Sequence, residues 1–168
     1  MKALRDIIAQ HKAGRSVGVY CACSAHPLVI EAALNHAKGQ SGPMLIEATS
    51  NQVNQDGGYT GMRPADFSRF VLAIAARIGL PQEQVLLGGD HLGPNCLQEL
   101  PSEAAMAKSD QLIAEYVAAG FRKIHLDCSM GCAGDPPALS NATVAARTVR
   151  LCAVAEQTWR RVGGEAPV

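Results

Sequence analysis

Four times along this chain a short, mostly apolar run is followed by a longer stretch whose apolar residues fall at helical spacing. That alternation constrains the fold more than any other feature. The short runs are Ser16–Cys23, Pro43–Glu47, Val85–Gly88 and Lys123–Asp127. After the first, Pro27 takes the first turn of a helix, Leu28, Ile30, Ala33 and Leu34 form its apolar side, and Gly39 stops it. After the second, Pro64 opens a helix with Phe67, Phe70, Val71, Ile74 and Ile78 on one face and Gly79 at its end. Ser102 is the predicted N-cap of a third helix, striped by Ala105, Met106, Leu112, Ile113 and Val117 and ended by Gly120. Ser140 or Asn141 caps a fourth, which runs to about Arg161. A leader helix at about Ala3–Lys12, with Leu4, Ile7, Ile8 and His11 at helical spacing, precedes them all.

Repeated strand–helix units imply parallel pairing, because a crossover helix returns the chain to the same end of the sheet. Four units make either a small doubly wound sheet or half of a (β/α)₈ barrel. Length favours the half, since a complete barrel takes roughly 250 residues and this chain has 168. The expected fold is therefore α/β: residues 1–168 as a single truncated TIM-barrel domain, its N-terminal half, with a leader helix and four βα units. The tail Gly163–Val168 then reads as a helix end leading towards a fifth strand. A half-barrel leaves its first and fourth strands as open edges, which invite aggregation.

The formal net charge is zero, so electrostatics gives no reason to expect nucleic acid or an anionic membrane as partner. No apolar stretch reaches the roughly 18 residues of a membrane span. The N-terminal segment mixes both charge signs and lacks a signal peptide's apolar centre. The six cysteines, Cys21, Cys23, Cys96, Cys128, Cys132 and Cys152, include no C-x₂-C pair. With no export signal, free thiols in a reducing cytoplasm are expected.

Sites in α/β sheets and barrels gather at the carboxyl ends of the strands. Here every such end is polar: Cys21, Cys23, Ser24 and His26; Glu47, Thr49, Ser50 and Asn51; Asp90, His91 and Asn95; His125, Asp127, Ser129 and Cys132. Four such ends on one rim predict a ligand site. Asp90-His91 is the sharpest pair, flanked by Gly88, Gly89 and Gly93. A histidine there can ligate a metal and an adjacent aspartate can act as acid or base. The plainer alternative is a capped strand end in which Asp90 bonds loop amides. His125 and Asp127 alternate along a strand and share a face; either they join the site or His125 is a satisfied, partly buried residue. Glu47 ends an apolar run and needs a partner, either His91 or a cation. The loop Thr49–Gly61 is long enough to be a lid. His26-Pro27 at a helix start offers weak support for phosphate. No nucleotide-binding fingerprint is present.

Four segments, CSAHPLVIEAAL (Cys23–Leu34), LIEATSNQVNQDGGYTGM (Leu45–Met62), LGGDHLGPN (Leu87–Asn95) and KIHLD with CAGDP (Lys123–Pro136), resemble one family in order and at length. It is the non-catalytic subunit family of class II D-tagatose-1,6-bisphosphate aldolase, of galactitol and N-acetylgalactosamine catabolism. The resemblance implies a full-length barrel more than twice this length and a catalytic aldolase subunit as partner. It also implies an ancestry shared with the catalytic enzymes, in which an Asp-His pair matching Asp90-His91 supplies the acid/base carboxylate and one zinc ligand. Their other two zinc histidines match positions beyond Val168, so zinc belongs to the full-length parent or to the catalytic partner. The site residues expected on this basis are Asp90, His91 and Asp127 for catalysis, His91 for an incomplete metal site, and Glu47, Ser50, Asn51, His125 and Ser129 for a phosphorylated sugar. The alternative is a metal-dependent sugar-phosphate lyase, or another sugar-phosphate enzyme, in its own right. Some family members carry the label tagatose-6-phosphate kinase, which this segment, lacking any phosphate fingerprint, does not support.

Overall fold

The computed structural model describes residues 3–40, 42–164 and 166–167. Its elements follow the order α1 (Ala3–Lys12), β1 (Cys21–Cys23), α2 (Pro27–Ala37), β2 (Met44–Thr49), α3 (Pro64–Ile78), β3 (Val85–Leu92), α4 (Ser102–Ala118), β4 (Lys123–Leu126) and α5 (Asn141–Val162). The strands form one parallel sheet in the order β1-β2-β3-β4. Because parallel crossovers are right-handed, a strictly sequential order steps the same way each time and leaves all crossover helices on one face. A doubly wound sheet would reverse direction and divide them. The arrangement is that of a partial barrel-like half.

The helix-covered face is the core. Ile46 and Ala48 of β2 and Val85 and Leu87 of β3 are buried with Ile30 and Leu34 of α2, Phe67 and Val71 of α3, Leu112 and Tyr116 of α4, and Leu151 of α5. Gly89 makes room for one of these, since a Cβ there would lie 2.9 Å from Tyr116 Cδ1. The buried Tyr116 hydroxyl donates to Val53 O at 2.8 Å, so its polar end is satisfied. Trp159, given no role from sequence, packs against this core and donates from Nε1 to Gly164 O at 3.0 Å.

Several boundaries differ from expectation. β1 has three residues rather than eight, because its neighbour β2 begins only at Met44 and the register starts at Cys21↔Leu45. β3 runs four residues past Gly88, carrying Asp90 and His91 inside the strand, because β2 extends to Thr49 and pairs it with Asp90. Pro101 rather than Ser102 occupies the N-cap of α4; the Ser102 hydroxyl instead donates to Asp135 Oδ1 at 2.6 Å. Asp135 also takes both Arg147 amino groups, at 2.9 and 2.8 Å, clasping the loop after β4 to α5. Ser140 is the N-cap of α5, accepting from Thr143 N. The tail expected to lead into a fifth strand includes residues 165 and 168, which lie outside the described residues. Among the described residues no helix is long and apolar enough to cross a membrane.

The segment between β2 and α3, expected as a lid, is instead tied to itself. Asn54 is 9% exposed; its Oδ1 accepts from Asp56 N and Gly58 N, both at 2.9 Å, and its Nδ2 donates to Ser50 O at 2.8 Å. Gly58 has φ +56 and a Cβ there would meet Gln52 O at 2.4 Å, so the turn requires glycine on both counts. Asn54→Ala removes the acceptor of two partly buried amides, and we expect a stability loss of about 1–2 kcal/mol in denaturant unfolding. A loss below about 0.5 kcal/mol would mean the loop does not depend on this residue.

Candidate functional site

Parallel pairing brings Cys23, Glu47, Gly88 and Lys123 to one level across all four strands. They lie on the face opposite the helix-packed core. Gly88 is the seat that allows this: a Cβ there would lie 2.7 Å from Glu47 Oε1, so the carboxylate rests flat over the glycine. Glu47 is 5% exposed and its charge is answered by the Lys123 ammonium, 2.5 Å from Oε1. The Cys21 thiol donates to Glu47 Oε2.

One step towards the carboxyl ends, Asp90 is the hub. Its Oδ2 meets His91 Nδ1 at 2.9 Å, and its Oδ1 meets His125 Nδ1 at 2.7 Å and Lys123 Nζ at 3.3 Å. The Cys23 thiol approaches Oδ2 at 3.8 Å. Partial burial pushes the Asp90 carboxyl up, but the His125 and His91 hydrogen bonds and the Lys123 charge outweigh it and hold the group well below the usual carboxylate range. Lys123 is the complement: burial works against its charge, yet Glu47 and Asp90 raise it above the ordinary lysine range. It is a fixed cation, unsuited to act as an amine nucleophile. Burial and the neighbouring carboxylates push the Cys21 thiol up to about 12 and the Cys23 thiol to about 11. Both stay protonated at neutral pH and act as donors, not as thiolate ligands.

His91 is held in an uncommon shape. Its φ of +49° makes it the one positive-φ residue other than glycine among the described residues. The register explains it: Gly89 pairs with Ile124 and Leu92 with Leu126, so Asp90 and His91 together oppose His125 alone. This is a β-bulge, which re-aims a side chain. The rings of His91 and His125 meet edge to face with centroids 4.6 Å apart. The fully buried Ser50 secures the bulge by donating from Oγ to His91 O at 3.1 Å.

The structure thus gathers Glu47, Asp90, His91 and His125 from the sequence-expected set. Asp127 lies beside them; its carboxylate accepts from Ser129 N and Oγ, at 2.9 and 2.6 Å, and its range is lowered by those bonds despite partial burial. Ser50, expected to touch substrate, is a support beneath His91. Asn51 lines a separate cleft with Asn95 and Cys96. Cys132 is buried, its N–H donating to Asp135 Oδ2 at 2.7 Å. His26 caps α2 itself, Nδ1 accepting from Leu28 N at 3.3 Å, which removes one donor from any phosphate there. Of the two partners expected for Glu47, the cation is the one found. Lys123 itself escaped the sequence reading, although the alternation that aligned His125 with Asp127 reaches it two residues earlier.

The residues also bear on the zinc that the resemblance implies. Asp90, His91 and His125 each offer a donor atom within 4.8 Å of the others. Two imidazoles and a carboxylate are a donor set that zinc accepts.

A parallel sheet with helices on one face and a titratable cluster at its strand ends defines an α/β protein whose polar strand ends lie where such folds carry their sites. The match to a family model is more particular. Residues 4–168 match the model of the D-tagatose-1,6-bisphosphate aldolase subunit GatZ/KbaZ-like, and the chain belongs to that family. It is also similar to a crystal structure of a probable tagatose 6 phosphate kinase from Sinorhizobium meliloti 1021, with 63% identity and a TM-score of 0.82. That match covers 84% of this chain and 36% of the other, so the chain spans about a third of that relative's length.

Proposed function

We propose that residues 1–168 are the N-terminal half of one (β/α)₈ barrel, and that the whole protein is a non-catalytic subunit of a class II D-tagatose-1,6-bisphosphate aldolase. Its role is to raise the activity and stability of the catalytic subunit in the cytoplasmic breakdown of galactitol or N-acetylgalactosamine through tagatose 6-phosphate. Family membership supports the aldolase context, and the sequential parallel sheet supports the barrel. The observation that carries the non-catalytic reading is the state of Asp90. A general base works best with a pKa near the operating pH. The residue matching the catalytic enzymes' acid/base is engaged by two imidazoles and an ammonium, contacts that hold its carboxyl below the usual carboxylate range and away from the pKa a general base needs.

The test is aldol cleavage of tagatose 1,6-bisphosphate by the full-length protein alone, a catalytic class II subunit alone, and the two mixed. The expected result is no cleavage by this protein alone and a rise of several-fold on mixing. No rise on mixing would overturn the subunit role. Cleavage by the protein alone would favour the second reading, a sugar-phosphate lyase in its own right, which the convergence of Glu47, Asp90, His91 and His125 on one rim supports. The kinase name of the Sinorhizobium relative finds no support in this segment, which carries no Walker-type or G-x-G-x-x-G loop.

A further inference from the structure

We draw no further inference here: the strongest candidate, the uncharged outward face of α5 on which Ala142, Ala146, Val149 and Ala153 all stand exposed, carries nothing, because it is a stripe of small residues and nothing in the structure shows what covers it.

Discussion

Gly93→Ala is expected to be the most damaging single-methyl change near the site, lowering stability by about 3 kcal/mol and Tm by roughly 6–12 °C. The cause is not backbone strain, since Gly93 has an extended φ of 160°. It is a collision. A Cβ at this position would lie 2.0 Å from the carbonyl oxygen of Asp127 and 3.0 Å from its carbonyl carbon. Backbone cannot swing aside as a side-chain tip can. This carbonyl follows directly on the Asp127 N–H, which donates to Leu92 O at 2.9 Å. Relief requires the ends of β3 and β4 to part, and that moves Asp127 and Ser129 away from the bulge. Calorimetry of the two proteins checks this; a Tm fall of less than 2 °C would show that the strand ends are far softer than the packing implies.

The sequence disclosed most where one local signal governs. α3 ends at Ile78 because Gly79 takes φ +73° and closes the helix, as its position after the apolar stripe predicts. The carboxyl-end rule placed Glu47, Asp90, His91 and His125 together because parallel strands share one polar rim, whatever the details. What escaped depended on partners distant in sequence. The strand through Asp90 and His91 is polar and follows two glycines, which reads as a loop; β2 on one side and β4 on the other make it a strand. The bulge at His91 exists only in the register between β3 and β4. Ser102 has the chemistry of a cap, but Asp135, 33 residues away, claims its hydroxyl. Ser50 looked like a ligand contact and proved to be a buried support, a difference decided by the depth of its neighbours rather than by residue type. Lys123 begins an apolar run, where a lysine reads as the solvated start of a strand; that role changes only once Glu47 and Asp90 are seen beside it.

That placement makes Lys123→Met the decisive substitution for the electrostatics of the rim. Methionine keeps most of the packing and removes the ammonium, leaving Glu47 at 5% exposure with the Cys21 thiol as its remaining donor. Breaking a fully buried pair costs about 3–5 kcal/mol. The Lys123 side chain keeps 26% of its surface in water, so solvent screening reduces the expected loss at pH 7 to about 2 kcal/mol. The pH dependence has a definite sign. Asp90 is depressed in the folded protein, partly by Lys123, so its contribution is full above its unfolded value near 3.8 and fades as pH falls towards the folded one. Lys123→Met removes part of that depression. The gap between the two proteins should therefore be widest above about pH 5 and narrow steadily below pH 4. Urea midpoints measured from pH 7 to pH 3 check both statements. A gap that stays constant across that range would mean the loss is one of packing, and Lys123 would then be a space-filling residue, not the counter-ion on which both carboxylates depend.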